Sequence, residues 1–283
     1  MWSILVIVHM LCLVAYTILL RKASTRSTHP LFTGALMTTG FLVPTPVYIA
    51  LGLVRVDLSL FEWLWIGIGG FMLAGLMAIS SWSLSKTEAS LYTIIFNLRL
   101  LFITILAFIF LHELPNTLQM MGGVVIFISI VLLNLHKEQR WKSAAVLSAL
   151  LATLWFSVHA TIEKFNVSHI TPIETYFTWF SIIGTLISWL LVWVRGLDMA
   201  GQWHSLHHKN IAWLLITRIG SGLSYAYALK FGTVAATNYV SGMGVAVIVL
   251  VGIYVLGEKQ HKAEKLYAVG LSCVGLTLIL LAH

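Results

Sequence analysis

Two stretches decide how this chain is read: LSKTEASLYTIIFNLRLLFITILAFIFLHE at Leu84–Glu113 and LKFGTVAATNYVSGMGVAVIVLVGIYVLGE at Leu229–Glu258. They align without a gap at a spacing of 145 residues, pairing Leu84 with Leu229, Ala107 with Gly252, Leu111 with Leu256 and Glu113 with Glu258. Each holds an apolar run long enough to cross a bilayer and ends on L-x-E. Further upstream, Lys22 and Pro30 match Lys164 and Pro172 at a spacing of 142. Self-similarity at a fixed long period is the mark of a chain made from repeated units.

The composition around these stretches has the same meaning. Of 283 residues, 59% are hydrophobic and only 10% charged, and the mean hydropathy is +0.93. A soluble globular domain carries about 25% charged residues, so that class is excluded, together with disordered, collagenous and disulfide-stapled chains. Cys12 and Cys273 lie inside apolar runs, away from any loop they might staple. The net charge of +7 is spread along the connections, which points to membrane orientation and not to nucleic acid.

Windows of about 20 apolar residues predict ten spans: Trp2–Leu20, Leu31–Leu53, Leu60–Ser83, Ala89–Leu111, Thr117–Leu135, Ser143–Ile162, Ile173–Val194, Ile211–Leu229, Val234–Leu256 and Leu266–Ala282. They are continuously apolar where barrel strands would alternate. The first reads as a retained helix, because Arg21 and Lys22 follow it and no basic segment precedes it. The longest linker, Arg195–Lys209, leaves no room for an inserted soluble domain. The expected fold is an all-α membrane protein of ten transmembrane helices, with repeats at 1–135 and 143–283. Five spans per repeat force the two copies into opposite orientations, an arrangement typical of transporters with a midplane site. Twelve Lys and Arg fall in odd-numbered loops, against three (Arg55, Lys164, Lys230) in even-numbered loops. The positive-inside rule then puts the odd loops in the cytoplasm and both termini outside.

L-x-E closing the fourth and ninth spans, a glycine-containing span after each (Gly122 and Gly123; Gly270), and Lys-then-Pro between the first two spans of each half resemble the EamA-type transporters of the drug/metabolite transporter superfamily. The resemblance runs the whole length of the chain. It implies a central cavity lined mainly by the third, fourth, eighth and ninth spans, alternating access, and a monomer that suffices where smaller relatives dimerise. The chain departs from the family pattern at Leu100 and Val245, where proline is frequent, and near Met37, where arginine is. The substrate of a particular branch therefore does not carry over.

Two arginines, Arg99 and Arg218, fall inside predicted spans, Arg99 mid-bilayer and Arg218 somewhat shallower. A central charge costs about 2.5–3.5 kcal/mol on insertion scales and usually faces a cavity or a partner. All ten carboxylates read as loop or helix-end residues, so the arginines are expected to face water, backbone carbonyls or an arriving anion. A guanidinium fork matches carboxylate or phosphate with two parallel bonds. Helical spacing sets Ser221 and Tyr225 beside Arg218, and Tyr92 and Phe96 beside Arg99, with Thr93 and Asn97 on a neighbouring edge. Asn238 and Ser241 supply polar groups on the ninth span among Gly242, Gly244 and Ala246, whose small size favours close helix approach. Trp82, Trp155 and Trp179 read either as cavity walls or as interface anchors.

His159 and Glu163, four residues apart near the end of the sixth span, are a candidate proton-coupling pair. His204, His207 and His208 lack a fourth ligand, so neither a metal nor another cofactor is expected. Lys86 and Lys230 precede the fourth and ninth spans and either guide anions or snorkel. No phosphate-binding G-x-x-x-x-G-K-[ST] is present, which leaves secondary transport as the energy source. The leading expectation is a secondary active transporter of a small organic anion or zwitterion in a bacterial cytoplasmic membrane. Its partners are that substrate and the lipid bilayer, with no nucleic acid. The alternative is a flippase for a phosphate-linked lipid carrier. An intramembrane enzyme lacks a nucleophile with a base, or paired acids, at compatible depth.

Overall fold

The computed structural model describes residues 1–24, 29–112, 117–135, 144–204, 208–258 and 262–281. The charges Arg26, Lys137, Arg140, Lys142 and Lys259, the landmark Glu113, the acid Glu138, the boundary residues Ser143 and Ala282, and His207 lie outside these residues. All regular structure among the described residues is helical: α1 (Trp2–Ser24), α2 (Pro30–Gly40), α3 (Thr45–Ala50), α4 (Leu60–Lys86), α5 (Ala89–Phe96), α6 (Arg99–Leu111), α7 (Thr117–Leu135), α8 (Ala144–His169), α9 (Ile173–Val194), α10 (Met199–His204), α11 (His208–Phe231), α12 (Val234–Gly242), α13 (Gly244–Tyr254) and α14 (Lys262–Leu280). Seven segments of the described chain are long and apolar enough to cross a membrane, and the protein is a multi-pass membrane protein.

Local chemistry sets the helix ends. Ser59 and Glu62 form a reciprocal capping box at the start of α4, the Ser59 hydroxyl accepting from the Glu62 N–H at 3.2 Å and Glu62 accepting from the Ser59 N–H at 2.8 Å. Pro30 opens α2, where its missing N–H costs nothing, and the His29 ring accepts from the Leu31 N–H. Thr233 caps α12 through the Ala236 N–H at 3.1 Å.

Several spans differ from their sequence-based outlines. The second is split by a turn over residues 41–44. The sixth runs on to His169, seven residues past its expected end, and the long linker contains the short α10. The fourth and ninth spans are each broken in the middle. In the fourth, Asn97, Leu98, Leu100 and Leu101 donate to carbonyls three residues back, so the chain tightens for one turn before α6 begins. Broken backbone at this depth persists only where protein covers it, and Asn97 and Leu98 are both buried.

The bounds of these elements keep the spacing of the sequence repeat. Each of α5 and α12, α6 and α13, and α7 and α14 starts 145 residues apart, and α4 and α11 end 145 apart. The packing also interleaves the chain's two ends. α1 lies along α11 and α13, α8 lies along α4 and α6, and α7 lies along α14. Ser129 and Ser272 meet hydroxyl to hydroxyl at 3.0 Å across the last of these pairs. A basic residue in the last turn of α1 and one within α8 act alike. Arg21 donates to the Leu84 carbonyl at the end of α4, and Lys164 donates to the Leu229 and Gly232 carbonyls at the end of α11 at 2.7 and 2.9 Å.

Candidate functional site

Two cavities meet at Arg218. The larger, of about 600 Å³ counting space open to solvent, lies between Tyr16 and Thr17 of α1, Met77 and Ser80 of α4, Tyr92, Thr93 and Phe96 of α5, Arg99, Phe156 of α8, and Ser241, Gly244 and Ile248 of the ninth span. The smaller, of about 370 Å³, lies among His9, Phe41, His159, Glu163, Phe180, Ser221 and Tyr225. Leu13, Leu76, Phe156 and Arg218 line both. The larger lobe reaches toward the ends of α1 and α4 and the start of α5. The smaller reaches toward the ends of α8 and α11 and the start of α9, so the lobes are stacked along the helix axes.

Arg99 is the first residue of α6, directly after the break, and only 2% exposed. Its guanidinium lies over the Phe96 and Phe156 rings at 4.6 and 5.3 Å. One nitrogen donates to the Ser241 hydroxyl at 3.3 Å across the gap to α12, while Nε has no partner among the described residues. The Tyr92 ring stacks on Phe96 at 5.3 Å and its hydroxyl donates to Ser80 at 3.3 Å. The expected stripe of Tyr92, Phe96 and Arg99 thus survives the break in the helix beneath it. Two aromatic faces contribute about 0.5–2 kcal/mol each. That offsets much of the cost of about 2.5–3.5 kcal/mol for a central charge but leaves the charge itself unneutralised.

Arg218 sits deeper than the sequence suggested. Because α11 begins at His208, Arg218 has ten residues before it and thirteen after it, the middle of the helix. Its guanidinium lies over Tyr16 at 5.0 Å and Phe41 at 4.5 Å. The Phe41 ring fits where a Cβ on Gly222 would stand, 2.1 Å away, so a larger residue there would push that ring aside. Among the described residues, neither arginine forms an ion pair with a carboxylate.

The expectation that every carboxylate lies in a loop or at a helix end is wrong at Glu163. The extension of α8 carries this residue inside the protein, where it is 5% exposed and faces the smaller lobe. His159 Nε2 is 3.3 Å from its Oε2, so the pair set by helical spacing does form. His9, not foreseen from sequence, completes the lobe. Its Nδ1 is 2.9 Å from the Ser221 carbonyl and 3.1 Å from the Ser221 hydroxyl, and its ring packs 4.7 Å from Tyr225. A hydrogen bond to that carbonyl requires Nδ1 to carry the proton, leaving Nε2 as an acceptor. The signals available in sequence were a lone histidine in the first apolar run and an acid beyond an underestimated helix end.

Other expected site residues lie elsewhere. Asn97 and Asn238 line neither cavity. Asn97 occupies the break, and Asn238 donates to the Tyr225 hydroxyl and the Val234 carbonyl, both at 2.8 Å. Neither Trp155 nor Trp179 is a cavity wall: their indoles donate to the Met72 and Arg55 carbonyls, and Trp82 is exposed. Lys86 and Lys230 are exposed at helix ends, outside both lobes. The described residues hold no group of three or more metal-ligating side chains. Ahead of the larger lobe, the Glu258 carboxylate receives the Ala89 and Ser90 N–H groups at 2.8 and 3.0 Å and the Ser90 hydroxyl at 2.6 Å, joining the end of the ninth span to the start of α5.

The model of the EamA-like transporter family matches residues 1–135. No curated protein matches the chain. A solved structure described only as the crystal structure of a protein superposes with a TM-score of 0.71 at 19% identity, covering 99% of this chain and 97% of that one. At that identity the likeness is one of fold alone. Many apolar helices around a buried, charged cavity agree with this match, so residues 1–135 are similar to the EamA-like transporter family.

Proposed function

We propose that this protein is a secondary active transporter that moves a small organic anion or zwitterion, such as an amino acid or another carboxylated metabolite, by alternating access. The observation that carries the reading is Arg99. It is a buried cation at a helix break, it faces a cavity, and its one described polar partner is a neutral hydroxyl. An incoming carboxylate supplies the charge this fork lacks, and the surrounding Tyr92, Phe96 and Phe156 suit an apolar body attached to it. Such a site is a carrier's and not an enzyme's, because Arg99, Ser241 and Tyr92 bind without offering a nucleophile and a base.

Ten spans are completed by counting α7, α11 and α14 with the seven long apolar segments. The shared spacing of 145 residues supports two five-helix repeats, and five spans per repeat make them inverted. Substrate sites of inverted repeats lie where discontinuous helices from the two copies face one another, as α5/α6 and α12/α13 do across Arg99 and Ser241. Rocking of the two repeats then exposes the larger lobe to the cytoplasm and the smaller lobe to the opposite side of a bacterial cytoplasmic membrane. One chain carries both repeats, so a monomer suffices, with substrate and bilayer as its partners.

Proteoliposomes loaded with labelled L-phenylalanine, L-glutamate or a polyprenyl phosphate test this reading. Movement of an amino acid by wild type, lost in Arg99→Gln with thermal unfolding unchanged, is the expected result. Movement of the polyprenyl phosphate alone replaces the metabolite carrier by a lipid flippase. Full transport by Arg99→Gln removes that residue from the site.

A further inference from the structure

The smaller lobe holds a charge arrangement that the binding of an anion at Arg99 leaves unexplained. Glu163 and Arg218 are both buried and line the same lobe, and among the described residues no ion pair joins them. The other titratable groups facing Glu163 are His159 on its own helix, His9 on α1, Tyr176 on α9 and Tyr225 on α11. α4 presents only Leu73 and Leu76 to this lobe, and Arg99 at the start of α6 is separated from His159 by the Phe156 ring. Among the described residues Glu163 is therefore the one acid lining either lobe. Arg218 also borders the larger lobe, where the cargo's anionic group would sit. One guanidinium thus stands between an internal carboxylate and an external one.

Building on the transporter reading, we propose that Glu163 is the counter-ion that cargo displaces from Arg218, and that it is released by taking up a proton, so that each anionic group crosses with one proton on Glu163. An isolated carboxylate at this depth is costly once its partner is taken, and protonation removes that cost. The proton comes from water on the side where cargo enters, and an O–H bond forms on the carboxylate. On the opposite side the bond breaks, the proton returns to water, and the carboxylate faces Arg218 again as the cargo leaves. No electrons are exchanged. His159 is a positioning residue, holding one Glu163 oxygen at 3.3 Å. His9 offers an accepting nitrogen to the same lobe. Because binding linkage is reciprocal, cargo favours proton uptake by as much as protons favour cargo.

The test uses whichever of L-phenylalanine and L-glutamate wild type moves, in proteoliposomes with the membrane potential clamped to zero. One proton per cargo predicts that a gradient of about one pH unit drives about tenfold accumulation, and that binding in weakly buffered detergent takes up one proton per ligand. Glu163→Gln is expected to lose the accumulation while still exchanging labelled for unlabelled cargo at equal pH. Where Glu163→Gln does not fold, Glu163→Asp is expected to restore pH-driven accumulation. Accumulation by Glu163→Gln equal to wild type overturns the proposal. So does wild-type transport with no response to the gradient, or binding with no proton uptake; both leave the carrier reading standing. Wild type that moves neither amino acid removes the carrier reading and this inference with it.

Discussion

The fourth and ninth spans break at equivalent backbone positions and present opposite side chains there. The helix after the first break begins with Arg99, and the helix after the second begins with Gly244, 145 residues later. Arg99 projects into the cavity between aromatic rings. Gly244 has no side chain, and a Cβ built there meets the Val14 side chain at 2.9 Å and Met10 at 3.3 Å, so α13 lies tight against α1. A second arginine at Gly244 would add another cost of about 2.5–3.5 kcal/mol and push α1 away. A second glycine at Arg99 would leave a hole with no charge. Keeping the break in both spans while changing one residue leaves one cation at the breaks, Arg99, facing the Ser241 hydroxyl.

This contrast breaks at measurable points. The largest effect is expected from Arg99→Gln: a charged hydrogen bond is worth about 1.5–3 kcal/mol, so transport of the cargo falls about ten- to hundredfold in the proteoliposome assay, with thermal unfolding unchanged. Gly244→Leu is the converse, a purely steric change. It is expected to destabilise by about 1–3 kcal/mol through overpacking against Val14 and Met10, read as a lower unfolding midpoint in detergent. A normal midpoint would show that α1 yields freely there. Glu258→Gln removes the carboxylate that two backbone N–H groups and a hydroxyl share at the start of α5. About 1–3 kcal/mol of stability should be lost, because one amide face repels the donors it meets. The smallest effect separates the two equivalent caps. Lys164→Met loses bonds to the last carbonyls of α11, worth about 0.5–1.5 kcal/mol. Arg21→Met is expected to lose more, because Arg21 also lies 3.9 Å from Glu258. Equal losses would mean that this ion pair contributes nothing.

Much of the fold could be read directly from residue order. The bounds of the fourth, fifth and seventh spans coincide with Ala89–Leu111, Thr117–Leu135 and Ile173–Val194, because charged or turn-forming residues flank them on both sides. The sixth span reads short because Glu163, Lys164 and His169 look like the end of an apolar run. Lys164 snorkels along α8 to cap α11, and Glu163 is covered by α9 and α11, so the helix continues through both. For the same reason Arg218 looks shallow in sequence, since apolarity fades at Ile211 while the helix starts at His208.

The candidate site was legible only in part. Arg99, Tyr92, Ser241, Arg218, Ser221 and Tyr225 do line or border the two lobes, because helical spacing alone puts the members of each stripe on one side. Asn97 and Asn238 share those helices but face neighbours that no spacing rule identifies. His9, Tyr16, Phe41 and Phe156 share no helix with either arginine, so helical spacing does not select them.

Residue order by itself determined that the chain is helical and membrane-bound, because hydropathy and length act along one segment at a time. Which side chains meet in the interior was decided by tertiary structure alone. Ser241 reaches Arg99 across 142 residues, and Ser221 reaches His9 across 212. Contacts at such separations depend on how α1, α8 and the two broken spans pack together, and no local pattern encodes that geometry.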